Sequence, residues 1–350
     1  MTALPPTRRQ LAMVFDLNKC LGCQSCTIAC KTLWTGAPGM EAMWWNIVNT
    51  MPGGGTPRGA FTHGGGYRDG EPVPGVFPSL REYGEAWDFD FEGSFSSDGN
   101  RIPLHPIGRD GGTPEWGPNW DEDMGGGDYP NSYFFYLQQI CANCSKPACL
   151  EACPRDALYR REEDGIILID EERCHGYRFC AEACPYKRIY FNPSRAIAQK
   201  CISCYPRIEA GVAPACVRQC PGRARHIDYM DNRDGHAYKL VHEWKVALPL
   251  RPDFGTEPNV FYVPPLAPPA FNETGEFDNS NPRIPMDYLR ELFGPGVDAA
   301  LETVSAERER AAAGDPSELI DILISREWND LMGPFTQNPA ELDRKPSAAP

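Results

Sequence analysis

The 350-residue sequence predicts an α+β fold with two pseudo-symmetric modules, a large irregular insertion and an extended C-terminal segment that ends in helices. Three observations support this prediction. All fifteen cysteines lie in 20–30 and 141–220, and short β-rich runs stand between their groups. Residues 35–134 hold about 20 of the 33 glycines and show neither strand nor helix periodicity. The hydrophobic content of 41% is enough to bury a core.

Strand candidates accompany the cysteine groups. The apolar run 11–15 (LAMVF) precedes the first group, and 165–170 (GIILID) and 188–192 (RIYFN) lie among the later ones. Further along, 244–269 contains many prolines, which predicts extended chain rather than helix.

Two helices are predicted near the C-terminus. The first is amphipathic and covers 297–313. The second has Asp315 as its N-cap, Pro316 at its first helical position and Glu318 at its third, and an apolar run follows.

The chain is acidic overall, with a formal net charge of −14 and an isoelectric point near 5.0, which argues against a nucleic-acid-binding surface. The segment 141–229 differs, since it holds 14 Lys and Arg against 11 Asp and Glu. A locally basic segment suits a region that binds an anionic group. No apolar run reaches the ~20 residues of a membrane-spanning helix. The Arg pair of MTALPPTRRQ is not followed by an apolar stretch, so no secretory signal is predicted for the chain itself.

The cysteines fall into four groups of similar spacing. In chain order the groups are Cys20-x2-Cys23-x2-Cys26-x3-Cys30, Cys141-x2-Cys144-x4-Cys149-x3-Cys153, Cys174-x5-Cys180-x3-Cys184 and Cys201-x2-Cys204-x11-Cys216-x3-Cys220. Proline follows the last cysteine of the second, third and fourth groups, and Tyr177 stands in the third where a second cysteine is expected. This spacing resembles the C-x2-C-x2-C-x3-C-P run of bacterial ferredoxins. The two predicted modules are therefore bacterial-ferredoxin-like.

The ferredoxin spacing also predicts how the groups combine. The first three thiolates of a run bind one cluster and the fourth cysteine binds the neighbouring cluster, so the groups must work in pairs. Nesting along the chain pairs the first group with the fourth, and the second with the third. The outer module then comprises 1–34 and 185–230, and the inner module comprises 135–184. The insertion is 35–134, and 231–350 is the extended and helical segment.

This pairing uses all fifteen cysteines for three [4Fe–4S] clusters and one [3Fe–4S] cluster. The expected ligands are Cys20, Cys23, Cys26 and Cys220 for the first cluster; Cys30, Cys201, Cys204 and Cys216 for the second; Cys141, Cys144, Cys149 and Cys184 for the third; and Cys153, Cys174 and Cys180 for the [3Fe–4S] cluster. Tyr177 takes the place of the missing ligand, either as a hydrophobic filler, which we favour, or as a phenolate bound to iron. Because this cluster lacks one thiolate, we expect it to have a relatively high reduction potential.

Two other uses of cysteine fit the sequence less well. A zinc site needs four ligands, usually as two close pairs, whereas four cysteines crowd into 20–30. A disulfide scaffold conflicts with the odd number of cysteines and with a chain long enough to bury a core.

The insertion is rich in tryptophan, with Trp44, Trp45, Trp87, Trp116 and Trp120. That content is too aromatic for a disordered linker. It predicts either an irregular lobe packed over the core or a surface ordered against a partner subunit, and we favour a combination of both.

Basic residues flank the cysteine groups; most are expected on a solvated surface, and a few within hydrogen-bond reach of a cluster or of carboxylates of a partner. They are Lys19, Lys31, Lys146, Arg173, Arg178, Lys187, Arg188, Lys200, Arg207, Arg218 and Arg223.

No motif indicates a catalytic site in the chain itself. The six histidines show no metal-binding spacing with carboxylates, and neither a nucleotide-binding glycine motif nor a nucleophile motif is present. Clusters bound fully by cysteine leave no coordination site for a substrate. The sequence therefore predicts a protein that transfers electrons, one at a time, between two partners.

Six motifs spread over roughly 11–300 are more specific than the cysteine spacing. They are DLNKCLGCQSCTIACK, WGPNWDED (116–123), CHGYRFCAEACPY, KCISCYPRIEAG, EWKVALPL and TEPNVFYVPP. Together they resemble the iron–sulfur β subunits of molybdenum enzymes related to dimethyl sulfoxide reductase. The similarity is greatest to the periplasmic branch that includes ethylbenzene, steroid C25 and dimethyl sulfide dehydrogenases.

The resemblance implies two partner subunits. A catalytic α subunit would hold molybdenum in a bis-molybdopterin guanine dinucleotide centre together with a further [4Fe–4S] cluster, and a γ subunit would carry haem b. The first cluster would face the α subunit, and the [3Fe–4S] cluster would face the haem. A periplasmic location is also implied, after export in folded form with the α subunit; the alternative is the cytoplasm.

The reaction implied for the α subunit is hydroxylation of a hydrocarbon or steroid side chain with water. Alternatives within the family are a dimethyl sulfide dehydrogenase and a selenate, chlorate or nitrate reductase. A free-standing polyferredoxin is an alternative of another class, although it would not need the aromatic insertion. A formate-dehydrogenase-type β subunit would normally have sixteen cysteines and a C-terminal membrane helix.

Overall fold

Short helices and strands are interspersed through residues 7–84 and 125–338, which are the residues that the computed structural model of the protein describes. The strands are β1 (Leu11–Asp16), β2 (Asn46–Met51), β3 (Tyr67–Arg68), β4 (Glu71–Pro72), β5 (Phe135–Ile140), β6 (Leu158–Arg160), β7 (Ile167–Ile169), β8 (Ile189–Asn192), β9 (Ile197–Lys200), β10 (Arg225–Tyr229), β11 (Leu248–Pro249), β12 (Val260–Val263), β13 (Pro269–Phe271) and β14 (Phe277–Pro282). The helices are α1 (Ser25–Trp34), α2 (Ala148–Glu151), α3 (Phe179–Ala183), α4 (Tyr205–Glu209), α5 (Ala215–Arg218), α6 (His236–Tyr238), α7 (Met286–Phe293), α8 (Val297–Ala312) and α9 (Glu318–Ile324). The predicted mixture of helices and strands is confirmed.

A four-stranded sheet with the order β10-β1-β12-β11 joins the two ends of the cysteine-rich region. β1 runs antiparallel to β10, with Phe15 opposite Arg225, and parallel to β12, with Phe15 opposite Tyr262. Because β1 leads into the first cysteine group and β10 follows the fourth, their pairing brings these two groups together.

The remaining cysteine groups are joined by short antiparallel pairs. β6 pairs with β7 between the second and third groups, and β8 pairs with β9 between the third and fourth. Helix α1 packs against α5, and α2 packs against α3. The strands predicted at 11–15, 165–170 and 188–192 are confirmed as β1, β7 and β8.

Strands β2, β3 and β4 lie inside the described part of the glycine-rich stretch 35–134, and β2 is the longest of them. β2 pairs along its whole length with β5, from Asn46 opposite Ile140 to Met51 opposite Phe135. Trp44 and Trp45, just before β2, are buried. This part of the stretch is therefore built into the core. The motif at 116–123 and Trp87 lie outside the described residues.

The central sheet is covered on both faces, as strand alternation requires. Phe15 belongs to a large core that also contains many of the cysteines. Its neighbour Val14 points to the opposite face, where it joins a second apolar cluster with Val263 and Leu319. Helices α8 and α9 thus close the face of the sheet that lies away from the cysteines, whereas Leu289 and Phe293 of α7 belong to the core that contains them.

The C-terminal helices differ from the prediction in two respects. The helix predicted over 297–313 is confirmed as α8, but α7 before it was missed. The N-cap predicted at Asp315 is wrong, because the backbone N–H of Asp315 still donates to the carbonyl of Arg310 at the end of α8. Ser317 caps α9 instead, and its Oγ accepts the N–H of Ile320 at 3.2 Å.

The residues after α9 are fastened to the fourth cysteine group. The N–H of Ala213 donates to the carbonyl of Phe335 at 2.9 Å, and the N–H of Gln337 donates to the carbonyl of Gly211 at 2.9 Å. Helix α9 itself is tied to the chain just before the first cysteine group, since the Lys19 ammonium donates to the carbonyl of Leu323 in its last turn at 2.7 Å. Within 7–84 and 125–338, none of the helices has both the length and the apolar character needed to cross a bilayer.

The cap of α9 leads to a stability prediction. Ser317→Ala removes two hydrogen bonds of a buried serine, the cap from the N–H of Ile320 and the bond that its Oγ donates to the Glu307 carboxylate, and loss of the cap by itself costs about 1 kcal/mol. We therefore expect a lower apparent unfolding midpoint for the assembled protein, followed by circular dichroism at one fixed heating rate. Ser305→Ala is the matched control because Ser305 lies in the middle of α8, where alanine is the better helix former. Equal midpoints for the two variants would contradict the assigned cap.

Candidate iron–sulfur centres

The four cysteine groups share a turn that the spacing alone did not reveal. The residue two positions after the first cysteine of each group has a left-handed backbone: Gly22, Asn143, Gly176 and Ser203, with φ of 64°, 44°, 67° and 52°. Glycine and asparagine accept this conformation more readily than other residues. The repeated turn folds each group back on itself, so that its cysteines approach one another.

Thiols from the first and fourth groups meet around one cavity. Burial raises the pKa of Cys30, and the neighbouring thiols of Cys201, Cys204 and Cys216 raise it further. The same four cysteines line a cavity with about 330 Å³ of space not filled by protein atoms, together with Met13, Trp34, Trp45, Asn46, Ile140, Ile202, Ser203 and Pro214. The donor set is thus four thiols within largely apolar walls, and soft thiolates in fours suit iron–sulfur clusters.

Thiols of the first and fourth groups also surround a buried arginine. Cys26, Cys216, Cys220 and Cys20 are the thiols whose charge would act most strongly on Arg225. Cys20 also lies beside Cys26. Cys23, the remaining member of the first group, is exposed at the surface. The structure therefore brings Cys20, Cys26 and Cys220 to one place, and Cys23 lies in the loop between them.

The second and third groups also bring their thiols together, because one thiol of the third group lies among three thiols of the second. Burial raises the pKa of Cys149, and the thiols of Cys184, Cys141 and Cys144 add to the effect. Cys184 comes from the third group, whereas the others come from the second. These are the four residues that the sequence expected in one ligand set.

Three thiols lie together at a fourth place, which makes four neighbourhoods of thiols in all. Burial raises the pKa of Cys180 to about 12, with Cys153 and Cys174 as the next contributors. Tyr177 lies between Cys174 and Cys180 in sequence, yet its side chain is 54% exposed. Its ring lies beside those of His175 and Phe179, with centroids 6.1 and 6.3 Å away.

Hydrogen bonds to sulfur accompany these neighbourhoods. The indole N–H of Trp34 donates to Cys204 Sγ at 3.0 Å, and the Arg225 guanidinium donates to Cys26 Sγ at 3.1 Å. Backbone N–H groups donate to other thiols at 3.3–3.4 Å: Ala157 to Cys153, Ala198 to Cys174, Ser203 to Cys201 and Ala224 to Cys220. Such donors stabilise thiolates and are the usual environment of cluster ligands.

Several of the flanking basic residues, of which most were expected on a solvated surface, are partly buried and donate to backbone carbonyls. Lys31 donates to the carbonyl of Met40 at 2.6 Å, and Arg207 donates to that of Ala213 at 3.0 Å. Arg223 likewise donates to the carbonyl of Ser325 at 3.0 Å. These side chains hold loops together because carbonyls lie within their reach. Arg225 and Trp34, which do contact sulfur, were not predicted.

All fifteen cysteines are free thiols. Within the described ranges, no three His, Cys, Asp or Glu side chains converge tightly enough to hold a single metal ion. A cluster does not require such convergence, because each of its thiolates binds a different iron atom.

Comparisons with known proteins agree with this cysteine chemistry. Residues 132–230 match the family described as a 4Fe-4S dicluster domain. The chain is 50% identical to the selenate reductase subunit beta of Thauera selenatis over 331 residues, covering 93% of this chain and 99% of that protein. It is 51% identical to the dimethylsulfide dehydrogenase subunit beta of Rhodovulum sulfidophilum over 318 residues, or 91% and 96% of the two chains. A respiratory nitrate reductase subunit beta of Haloferax mediterranei is 51% identical over 323 residues, or 90% of each chain.

The indole bond to Cys204 leads to a redox prediction, given the expected cluster bound by Cys30, Cys201, Cys204 and Cys216. Trp34→Phe removes a hydrogen bond worth about 0.5–1.5 kcal/mol. Because a reduced cluster is more negative and gains more from the donor, we expect the variant's cluster to have a lower reduction potential at unchanged iron content. The measurement is a redox titration followed by electron paramagnetic resonance.

Trp45→Phe is the matched control for this titration. Trp45 lines the same cavity, but its indole N–H has no acceptor among the described residues. We expect little change in potential for this variant. Equal shifts in the two variants would show that ring size, and not the bond to Cys204, controls the potential.

Proposed function

The chain belongs to the iron–sulfur β subunits of molybdoenzymes in the dimethyl sulfoxide reductase family, and we propose that it relays electrons between a catalytic molybdenum α subunit and a haem b γ subunit. The observation that carries this proposal is the meeting of Cys30 with Cys201, Cys204 and Cys216 around one cavity. Thiols from distant segments, set in apolar walls, suit a buried redox centre better than a substrate site.

We assign the ligands by the pairing of groups within two ferredoxin-like modules. The first [4Fe–4S] cluster takes Cys20, Cys23, Cys26 and Cys220; the second takes Cys30, Cys201, Cys204 and Cys216; the third takes Cys141, Cys144, Cys149 and Cys184. The [3Fe–4S] cluster takes Cys153, Cys174 and Cys180. The thiol neighbourhoods of Cys30, Cys149 and Cys180 support these sets.

When bound, the clusters supply one-electron redox centres. The protein contributes an environment for them. Most of the cysteines are buried or half-buried, which excludes water from the thiolates. N–H groups donate to the sulfurs of Cys204, Cys26 and Cys220 and offset the negative charge. Proline after the last cysteine of a group fixes the turn there without leaving a backbone donor unsatisfied.

Two apolar surface patches support the proposed order of partners. At the first group the exposed Cys23 has exposed Leu21 nearby in the chain. At the third group Tyr177 and Phe179 are about half exposed. Exposed aromatic and aliphatic side chains are typical of subunit interfaces. We propose that the α subunit, with its bis-molybdopterin guanine dinucleotide centre and own [4Fe–4S] cluster, docks at the first patch, and the γ subunit docks at the second.

The proposed α-subunit reaction is hydroxylation of a hydrocarbon or steroid side chain, for which the support is the motif resemblance. The names of the relatives favour a second candidate, because they are subunits of selenate reductase, dimethylsulfide dehydrogenase and nitrate reductase. Hydroxylation and oxyanion reduction differ in the direction of electron flow, whereas a dimethylsulfide dehydrogenase shares the outward direction of hydroxylation because it also takes electrons from its substrate. Hydroxylation sends electrons outward to the haem, and oxyanion reduction draws them inward.

A tagged copy of this chain tests the complex, its location and its substrate together. We expect purification from the periplasmic fraction with one molybdenum-containing and one haem b-containing subunit. Haem reduction on addition of an alkylbenzene or a sterol would support hydroxylation, whereas reoxidation of reduced haem by selenate, chlorate or nitrate would support the second candidate. Recovery of the chain alone, with its iron, would contradict the relay and favour a polyferredoxin. Recovery of the complex from the cytoplasm would contradict the proposed export.

Iron content and the electron paramagnetic resonance signal of the oxidised complex test the cluster assignment. This chain should contribute about 15 iron atoms and a near-isotropic signal that disappears on mild reduction. Tyr177→Cys should supply the missing ligand, raise the iron contributed to about 16 and abolish that signal. Tyr177→Phe is the control for a phenolate ligand, because it removes only the hydroxyl. An altered signal in Tyr177→Phe would contradict the filler role, and about 16 iron atoms in the parent chain would contradict the [3Fe–4S] assignment.

A further inference from the structure

A single arginine lies at the junction of the first and fourth cysteine groups. Arg225 is the first residue of β10 and is completely buried. Its guanidinium lies 4.4 Å from the centroid of the Phe15 ring, which is its partner across the strand pair. Phe15 is held in turn by an edge-to-face contact with Tyr262, whose ring centroid is 5.6 Å away. These contacts fix the position of the cation within the sheet.

The groups around Arg225 that can carry negative charge are cysteine side chains, in their thiolate form. Its Nη2 donates to Cys26 Sγ at 3.1 Å. Burial alone would lower the pKa of Arg225, but four thiols hold it above its ordinary value, in the order Cys26, Cys216, Cys220 and Cys20. A fully buried cation is costly unless it is paired with negative charge. The thiolates of bound clusters would provide that charge.

Two of the guanidinium nitrogens lack a partner. Nε and Nη1 are buried and have no hydrogen-bond acceptor among the described residues. Leaving donors of a charged group unsatisfied in the interior carries a large penalty. Acceptors that the polypeptide does not itself supply, such as the sulfides of a cluster, would satisfy them.

We propose that Arg225 is a positioning residue shared by the first two clusters, and that its charge and N–H groups raise the reduction potentials of both. This inference rests on the proposed ligand assignment, in which Cys20, Cys26 and Cys220 bind the first cluster and Cys216 binds the second. Because Arg225 donates to Cys26 and has three thiols of the first set around it, its effect is largest on the first cluster. The inner clusters, whose thiols are not among its neighbours, are unaffected.

Arg188 provides an internal comparison. It is as deeply buried as Arg225, with 1% exposure against 0%. Its guanidinium, however, donates to backbone carbonyls, those of Tyr186 and Thr56. A structural arginine of this chain thus donates to carbonyls through Nε and Nη2 and leaves Nη1 without an acceptor among the described residues, whereas Arg225 donates to sulfur and leaves two nitrogens without one.

The test is a redox titration of the purified complex, followed by electron paramagnetic resonance, for Arg225→Met, Arg225→Gln and Arg225→Lys. In Arg225→Met, at the midpoint potential of the parent, we expect the ratio of reduced to oxidised first cluster to fall at least tenfold, which corresponds to about 59 mV for one electron. The second cluster should shift less, and the inner clusters not at all. Arg225→Lys should recover most of the shift because it keeps the charge. Arg188→Met, the matched control, should leave the first cluster unchanged.

The outcomes separate this inference from the proposed function. Unchanged potentials in Arg225→Met at full iron content would overturn the inference and leave the ligand assignment intact. An equal shift in all clusters, or an equal shift of the first cluster in Arg188→Met, would also overturn it. If Arg225→Met fails to assemble, Arg225→Gln serves as the test, since it keeps an N–H donor without the charge. A lowered reduction potential of the first cluster in this variant supports the inference, and an unshifted potential overturns it. Too little iron in the parent complex would instead refute the assignment itself.

Discussion

The fold depends on the meeting of thiols that are far apart in the chain. Trp34 donates to the sulfur of Cys204 although the two residues are 170 positions apart. Closing a loop of that length costs conformational entropy before any cluster can bind. The pairing of β1 with β10 and the packing of α1 against α5 provide the compensating contacts. The C-terminal segment adds to them, since Lys19 and Ala213 are tied to residues beyond 318.

The electrostatics of the interior follow from the same constraint. Thiolates that converge in apolar surroundings require positive charge nearby, which explains why a chain of net charge −14 has its basic residues concentrated at the cysteines. Lys187 is one of them; burial lowers its pKa to about 8, and its ammonium donates to the carbonyl of Glu182 at 2.7 Å. Lys200 similarly donates to the carbonyl of Cys201 at 3.1 Å. Because carbonyls carry no full charge, these cations remain available to offset thiolates.

The sequence allowed prediction of features that depend on local spacing. Cysteine intervals, the prolines after them and the β-rich runs each concern a few adjacent residues, and the strands at 11–15, 165–170 and 188–192 were found. Features that depend on distant partners were not predicted. β2 has no strand periodicity because both its faces are buried, and its partner β5 begins 84 positions after β2 ends. Arg225 and Trp34 contact sulfur only because the groups at the two ends of the region meet. The cap at Asp315 failed for a related reason, since the preceding helix retains its N–H.

The third cysteine group has the same turn as the other groups, although Tyr177 stands where a second cysteine was expected. Gly176 has the same left-handed backbone as Gly22 of the complete first group, with φ of 67° against 64°. A Cβ at Gly176 would lie 2.3 Å from the carbonyl oxygen of Ala196, and one at Gly22 would lie 2.5 Å from the ring of Tyr136, so the two turns are similarly tightly packed. Tyr177 follows it with an exposed side chain that makes aromatic contacts at the surface. The third group therefore shares the turn of the other groups and differs from them in the side chain at residue 177, so the number of thiols at this site follows from that side chain and not from the path of the backbone.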